Sequence, residues 1–239
     1  MKLEIENGVL KKLDVVYSED FDLDIVIPYG VTKIGYQAFE RYGCRVKSIT
    51  IPDTVTEIDD DGFAECDLIT SITIPDSVIS IGNCAFDECR KLENVSIGKS
   101  VISIGDRAFH YCRSLKSVTM GNSVTSIGDS AFTSDEKLES ITFGNSLTSI
   151  GSFAFNCCTS LKSITLPDSL IEIGESAFEY CPALTSLTIG KGLKVFGDYA
   201  FGDCDNLKNI TLPSREFKLD PKAFEERDVS NFIINYKEN

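Results

Sequence analysis

Short alternating runs of apolar and polar residues recur along the chain about every 23 residues. In residues 117–120, Val118 and Met120 alternate with Ser117 and Thr119. A period of two with β-branched residues predicts a β-strand that turns one face towards a core. A proline or glycine follows each run and ends the strand. The equivalent apolar pairs are Ile72/Ile74, Val95/Ile97, Ile141/Phe143, Ile164/Leu166, Leu187/Ile189 and Ile210/Leu212.

A second segment of each unit has a different apolar spacing. In residues 105–112, Ala108, Phe109 and Cys112 lie about one helical turn apart, and Asp106 is placed to cap that turn. We therefore predict that each unit is a strand, a turn, and then one or two helical turns. Such a unit is too short to bury its own apolar face, so neighbouring units must stack.

Nine phenylalanines mark the repeat. The first interval between them is 24 residues and each later interval is 23. A constant period over this length is typical of one solenoid rather than several domains. We predict that the rings stack from unit to unit as an internal spine, so that they belong to the core. They are Phe39, Phe63, Phe86, Phe109, Phe132, Phe155, Phe178, Phe201 and Phe224.

The repeated pattern L-x-x-I-x-I-P-x-x-V-x-x-I-G-x-x-A-F-x-x-C resembles that of BspA-like leucine-rich repeats over about residues 25–213. We expect an α/β solenoid, a leucine-rich-repeat arc with a parallel concave sheet of about ten strands and short convex helical turns. Residues 1–24 are expected to form an N-terminal cap, residues 25–213 the repeats of 23 residues, and residues 214–239 a degenerate C-terminal capping repeat. The chain departs from the pattern at Asp59, Phe196 and Asp135, and Asp135 takes the place of a cysteine.

The charge balance excludes some classes of partner. The formal net charge is −14 and the isoelectric point is near 4.5, whereas nucleic acids and anionic membrane surfaces bind clustered Lys and Arg. No apolar run approaches the ~18 residues that a membrane-spanning helix needs. We expect no nucleic-acid partner and no membrane insertion, and the sequence leaves the oligomeric state open.

Six of the nine cysteines lie three residues after a spine phenylalanine, at Cys66, Cys89, Cys112, Cys158, Cys181 and Cys204. One thiol per unit does not converge as four zinc ligands must, so we predict buried, reduced cysteines that pack as small apolar residues, and no metal site. Cys44, Cys84 and Cys157 lie off this ladder and have no predicted role. With a single histidine, His110, and no nucleophile–base pair, we expect no catalytic residues, no enzyme activity and no cofactor.

The outward strand positions form the candidate binding surface. They carry hydroxyl or amide side chains in two columns, and beside them Glu93, Lys116, Glu139 and Lys162 alternate in sign. Because neighbouring strands lie ~4.8 Å apart, each charge would meet opposite partners. An alternative is that these residues only set register and solubility. The candidate ligand-binding residues of the concave face are Ser71, Thr73, Asn94, Ser96, Lys116, Ser117, Thr119, Ser140, Thr142, Lys162, Ser163, Thr165, Ser186 and Thr188.

The leading interpretation is a non-enzymatic binding module whose concave sheet recognises a protein or a glycan. The resemblance to BspA-like repeats implies a cell-surface or secreted protein with a role in adhesion to host or matrix proteins. The first residues carry no signal peptide, and reduced thiols fit the cytoplasm better. The alternative is therefore an intracellular scaffold or assembly protein.

Overall fold

A computed structural model describes residues 2–14, 22–40, 45–225 and 228–237. Each turn of the solenoid contributes two short strands, one to each of two sets. The first set is β1 (Lys2–Glu6), β2 (Val9–Asp14), β4 (Lys33–Ile34), β6 (Glu57–Ile58), β8 (Ser80–Ile81), β10 (Ser103–Ile104), β12 (Ser126–Ile127), β14 (Ser149–Ile150), β16 (Glu172–Ile173) and β18 (Val195–Phe196). The second set is β3 (Leu23–Val26), β5 (Val46–Thr50), β7 (Ser71–Thr73), β9 (Asn94–Ser96), β11 (Ser117–Thr119), β13 (Ser140–Thr142), β15 (Ser163–Thr165), β17 (Ser186–Thr188), β19 (Asn209–Leu212) and β20 (Ile233–Tyr236).

The first set forms one ten-stranded sheet in the order β1-β2-β4-β6-β8-β10-β12-β14-β16-β18. Its strands are parallel apart from the antiparallel β1–β2 hairpin at the N-terminal end. Equivalent residues of successive turns pair directly, as Ser103 pairs with Ser126 and Ile104 with Ile127. A side-chain period of two fixes this register, because the isoleucines are buried and the serines face outward.

The prediction of one sheet of about ten strands was right in strand number and wrong in its location. The alternating segments that we expected to form it make up the second set, which is divided into β3-β5, β7-β9-β11-β13 and β15-β17-β19-β20. The continuous sheet is instead built from two-residue segments such as Ser126–Ile127. Two residues are too few to show an alternating period, so the sequence pattern did not reveal these strands.

The prediction of short convex helical turns was wrong. The described residues contain no α-helix; they have 3-10 geometry at Arg45 and, in the last repeat, in Pro221–Phe224 and Val229–Asn231. Residues 105–112 form consecutive tight turns, with a positive φ at Arg107 and Tyr111. Left-handed residues at this spacing interrupt a right-handed helix.

The backbone hydrogen bonds of these turns explain why they replace a helix. The N–H groups of Arg107, Phe109 and Tyr111 donate to the next turn of the solenoid, the Phe109 bond to Ala131 O being 2.8 Å. The intervening N–H groups donate three residues back, as Ala108 does to Gly105 O. An α-helix would keep all these bonds internal and, at about 10 Å wide, would hold successive turns too far apart.

The phenylalanine spine is confirmed. All nine rings are fully buried, and successive ring centroids lie 5.0–5.4 Å apart. This spacing is close to the ~4.8 Å between strands. The buried rings are therefore spaced from turn to turn almost as closely as the strands.

Side chains also join the turns to one another. We had predicted that Asp106 caps its own turn, and this prediction was wrong. Its Oδ1 accepts the backbone N–H of Asp129 in the next turn at 2.8 Å, and its own N–H donates to Asn83 Oδ1 at 2.8 Å. Glycine is required beside this chain of bonds, because a Cβ at Gly128 would lie 2.6 Å from Asp106 N. No helix in the described ranges is long and apolar enough to cross a membrane.

Candidate functional site

We call the outward surface of β7, β9, β11, β13, β15 and β17 the polar strand face. All the predicted ligand-binding residues lie on it or at its margin, and their side chains are exposed or half-buried. The apolar residues between them, such as Val118 and Ile164, point into the core. The strand alternation that predicted these positions therefore separates packing residues from outward residues.

The outward side chains of neighbouring strands are in register. Ser117 pairs with Asn94 on one side and with Ser140 on the other, and Thr119 pairs with Ser96 and Thr142. The same alignment joins β15, β17 and β19. The two predicted columns of hydroxyl and amide groups therefore exist within each block of strands.

The columns are interrupted between β13 and β15, which belong to different sheets. In other turns the residue after a strand donates its N–H to the next strand, as Met120 does to Thr142 O at 3.0 Å and Leu166 to Thr188 O at 2.9 Å. No equivalent bond joins Phe143 to Thr165 along this described stretch. The candidate residues of β11 and β13 thus lie on one side of a discontinuity, and those of β15 and β17 lie on the other.

The charged side chains beside the columns form two separate ion pairs. Lys116 Nζ lies 2.6 Å from Glu93 Oε2, and Lys162 pairs with Glu139. Hydrogen bonds from these lysines lower the pKa of Glu93 and of Glu139. No ion pair joins Lys116 to Glu139 among the described residues, so the alternation in sign gives pairs rather than a continuous chain.

A shallow cleft of about 490 Å³ extends the polar strand face towards the N-terminus, between β5 and β7. Ile49, Ile72 and Pro75 give it an apolar floor, and Ser48, Thr50, Ser71 and Thr73 supply hydroxyl groups. Of these residues only Ser71 and Thr73 were predicted to bind a ligand. The 24-residue first repeat obscured the equivalence of β5 with the later strands.

The side of the solenoid formed by the ten-stranded sheet carries exposed apolar residues that were not predicted from the sequence. Ile79, Ile102 and Ile171 are 43–48% exposed and lie directly before β8, β10 and β16 of the ten-stranded sheet. The signal for them was a residue seven positions before each spine phenylalanine. They provide a surface of different chemistry for comparison with the polar strand face.

Burial of the six ladder cysteines is confirmed. Each of five thiols donates to the carbonyl of the spine phenylalanine in the preceding turn, as Cys112 Sγ does to Phe86 O and Cys158 Sγ to Phe132 O, both at 3.3 Å. Burial raises the pKa of the Cys112 and Cys158 thiols well above the usual value. The Cys112 and Cys158 thiols are therefore neutral packing groups and weak donors.

The other cysteines differ in position. Cys84 and Cys157 are half-buried and adopt positive φ, two residues before and two residues after a spine phenylalanine. Burial also raises the pKa of both thiols. Cys44 lies outside the described residues.

The single histidine is held in a polar contact on the turn side. His110 is 8% exposed, and its Nδ1 lies 2.7 Å from Asp87 Oδ1. Arg107 lies 3.5 Å from the second Asp87 oxygen. Within the described part of the chain, no three His, Cys, Asp or Glu residues form a group that could hold a metal ion.

Comparison with known proteins agrees with the repeated pattern of the sequence and with the solenoid fold. The family model described as BspA type leucine rich repeat region matches residues 17–139 and 125–238. A search of curated protein sequences finds no match.

Three solved structures illustrate the likeness. A leucine-rich repeat protein from Bacteroides ovatus is 30% identical over 90% of this chain and 60% of its own, with a TM-score of 0.65. A leucine rich cell surface protein from Faecalibacterium prausnitzii is 29% identical over 81% of this chain and 61% of its own, with a TM-score of 0.53. The pneumococcal vaccine antigen PcpA is 22% identical over 90% of this chain and 68% of its own, with a TM-score of 0.51, and shows the fold alone. The chain spans about three fifths of the length of the first two proteins.

Proposed function

The chain belongs to the family of BspA type leucine-rich repeat proteins, and from that premise we propose that it is a recognition module that binds a protein or a glycan through the polar strand face. Leucine-rich repeat proteins generally mediate protein binding or surface recognition. For this chain we further propose a role in adhesion at a cell surface. The similar protein from Faecalibacterium prausnitzii, which is described as a cell surface protein, supports that setting.

We choose the polar strand face as the binding surface because of one observation. The outward residues of β7 to β17 are free of packing, yet they are aligned from turn to turn in two columns of Ser, Thr and Asn. The apolar core side of the same strands already accounts for folding. An aligned row of donors and acceptors on an exposed surface suits a long partner that contacts several turns at once.

The energetics favour a partner that is extended along the solenoid axis. A single hydrogen bond contributes only ~0.5–1.5 kcal/mol net, so useful affinity requires contacts on many turns. The pairs Glu93–Lys116 and Glu139–Lys162 flank the columns and are well placed to select among partners by charge. Because of the break between β13 and β15, such a partner contacts two blocks of strands.

The test is a triple substitution at the centre of the polar strand face. Thr119→Lys, Thr142→Lys and Thr165→Lys place three charged side chains on exposed positions, so folding is retained. The matched control is Ile79→Lys, Ile102→Lys and Ile171→Lys, which adds the same charge on exposed positions beside the ten-stranded sheet. Both variants and the unchanged protein are assayed against immobilised extracellular-matrix proteins and a glycan array.

We expect at least one probe to bind the unchanged protein and the isoleucine control but not the threonine variant. Circular dichroism spectra that match that of the unchanged protein are the check that each variant keeps the fold. If the threonine variant still binds the probe and the isoleucine variant does not, the binding surface lies on the side of the ten-stranded sheet. That result would contradict the proposal.

An intracellular scaffold is the second candidate. The six buried thiols favour it, because cysteines that serve as packing groups need no oxidising compartment. Its expected partners are intracellular proteins, so co-purification after expression at native level separates it from the first candidate.

A further inference from the structure

The middle of the solenoid contains a buried acid that the proposed function does not use. Asp135 is 0% exposed, and neither carboxyl oxygen has a hydrogen-bond partner. It takes the ladder position of a cysteine, between Cys112 and Cys158. An ionised carboxylate at such a site would be a buried charge without compensation.

The ladder geometry defines what surrounds this carboxyl group. Each ladder thiol that donates to a phenylalanine carbonyl does so to the residue 26 positions earlier, as Cys158 does to Phe132 O and Cys112 to Phe86 O. The same register directs Asp135 to the carbonyl of Phe109. A carboxylate and a carbonyl are both acceptors, so the contact is favourable only when Asp135 carries a proton and donates it.

The neighbouring ionisable groups do not supply a countercharge. Cys112 and Cys158 are neutral thiols on either side of Asp135. Glu136, the next residue in the chain, lies on the surface and pairs with Arg113 at 3.8 Å. The two charges of this pair neutralise each other. Burial raises the pKa of Asp135 well above its usual value. The nearby backbone N–H of Cys112 favours the ionised form, but it offsets only part of this rise in the pKa.

A second, independent feature lies directly after Asp135 in the chain. The next strand, β13, ends its sheet, and β15 begins another. Ile141 and Phe143 are only half-buried, whereas the equivalent Val118 and Met120 of the preceding turn are buried. Across this boundary the backbone bond from Lys162 N–H to Glu139 O is 3.4 Å long, whereas the equivalent bond from Glu139 N–H to Lys116 O is 2.9 Å.

The other sides of the solenoid remain continuous at the same place. Ser126 and Ile127 of β12 pair with Ser149 and Ile150 of β14. The Phe132 and Phe155 rings stack at 5.1 Å. The turns on either side of this boundary are therefore joined along the ten-stranded sheet and the spine, and weakly joined along the corner that contains Asp135.

We propose that Asp135 is a proton-dependent latch at a hinge between the two blocks of the polar strand face. With its proton, the carboxyl group hydrogen-bonds the Phe109 carbonyl and closes the corner. When the proton is lost, the corner opens, the ladder separates at this turn, and the Cys112 and Cys158 thiols become accessible. The two blocks of strands can then change their relative orientation.

The test is site-resolved thiol labelling of the full chain between roughly pH 6 and pH 9. A brief pulse of iodoacetamide is followed by peptide mass spectrometry, and labelling of Cys112 and Cys158 is divided by that of Cys66 and Cys204. The ratio removes the general rise in thiol reactivity with pH. The matched variant is Asp135→Asn, whose amide donates to the same carbonyl and does not titrate; Asp135→Cys, which restores the ladder residue, is used if that variant does not fold.

In the unchanged protein we expect the ratio to rise by up to about tenfold per pH unit, the limit for an opening coupled to the loss of one proton. In the variant the ratio stays constant. A constant ratio in the unchanged protein, or the same rise in the variant, would overturn the latch. Neither result depends on a binding partner, so a failure here is distinct from a failure of the proposed function.

Discussion

The phenylalanine spine gives the sharpest stability prediction. Phe132 is fully buried near the middle of the array, and its ring lies 5.1 Å from those of both Phe109 and Phe155. Phe132→Ala removes the ring from both contacts and leaves a cavity between two turns. In a solenoid each turn contacts only its neighbours, so this single change weakens two interfaces.

The magnitude follows from the burial and the two ring contacts. Replacing a buried phenylalanine with alanine costs ~3–5 kcal/mol, because apolar burial is lost and the cavity relaxes only partly. Phe132→Leu retains most of the volume and loses the ring contacts. At about 0.5–1.5 kcal/mol for each aromatic pair, that variant is expected to lose about 1–3 kcal/mol.

Urea unfolding followed by far-ultraviolet circular dichroism measures both effects. The chain contains no tryptophan, so the emission of its eight tyrosines serves as the second probe. Phe153→Ala is the matched control, since Phe153 belongs to the next turn and is 40% exposed. Its substitution is expected to change the free energy of unfolding by no more than about 0.5 kcal/mol.

A loss below 1 kcal/mol for Phe132→Ala would refute the interpretation of the spine as a continuous core, 1 kcal/mol being about the average cost of an ordinary substitution. No loss for Phe132→Leu would show that volume alone matters and that the ring contacts contribute nothing. Coincident transitions by the two probes establish that the comparison is valid for this repeat array.

Three further predictions follow from the packing between turns. Gly128→Ala places a Cβ 2.6 Å from Asp106 N and should cost about 1–3 kcal/mol in urea unfolding, while Gly202→Ala, whose closest contact is 3.3 Å, should cost far less. Asp135→Cys should raise the urea midpoint at neutral pH, because the raised pKa of Asp135 makes its ionisation unfavourable to folding. That cost disappears as the pH falls towards the unfolded pKa of about 3.9, so the advantage of the variant should shrink in acid, and an advantage independent of pH would contradict it. Lys116→Ala should leave the thermal midpoint unchanged, because the ion pair with Glu93 is exposed on both sides, and a clear drop would refute this.

Most of the core residues could be predicted from the sequence, whereas little of the backbone geometry could be. The constant interval between phenylalanines placed every spine ring, and the strand alternation separated Val118 from the outward Ser117 and Thr119. Both patterns arise from apolar burial, which repeats once per turn and is directly visible in residue types. The same reasoning correctly placed the ladder cysteines in the interior.

The errors arose where backbone hydrogen bonds decide the structure. Ala108, Phe109 and Cys112 have helical spacing, but a chain of tight turns places the same three side chains inward and leaves alternate N–H groups for the next turn. Side-chain spacing does not distinguish these two arrangements. The break between β13 and β15 was equally hidden, since Ile141 and Phe143 match the apolar pattern of every other turn.

The assignment of binding to the polar strand face is tested most directly by a hydrogen-exchange footprint of the complex with the probe identified in the binding assay. We expect slower amide exchange in residues 117–119, 140–142 and 163–165 when the probe is bound, with no change around Ile79, Ile102 and Ile171. Slower exchange confined to the side of the ten-stranded sheet, or to the turns that carry the spine, would contradict this assignment.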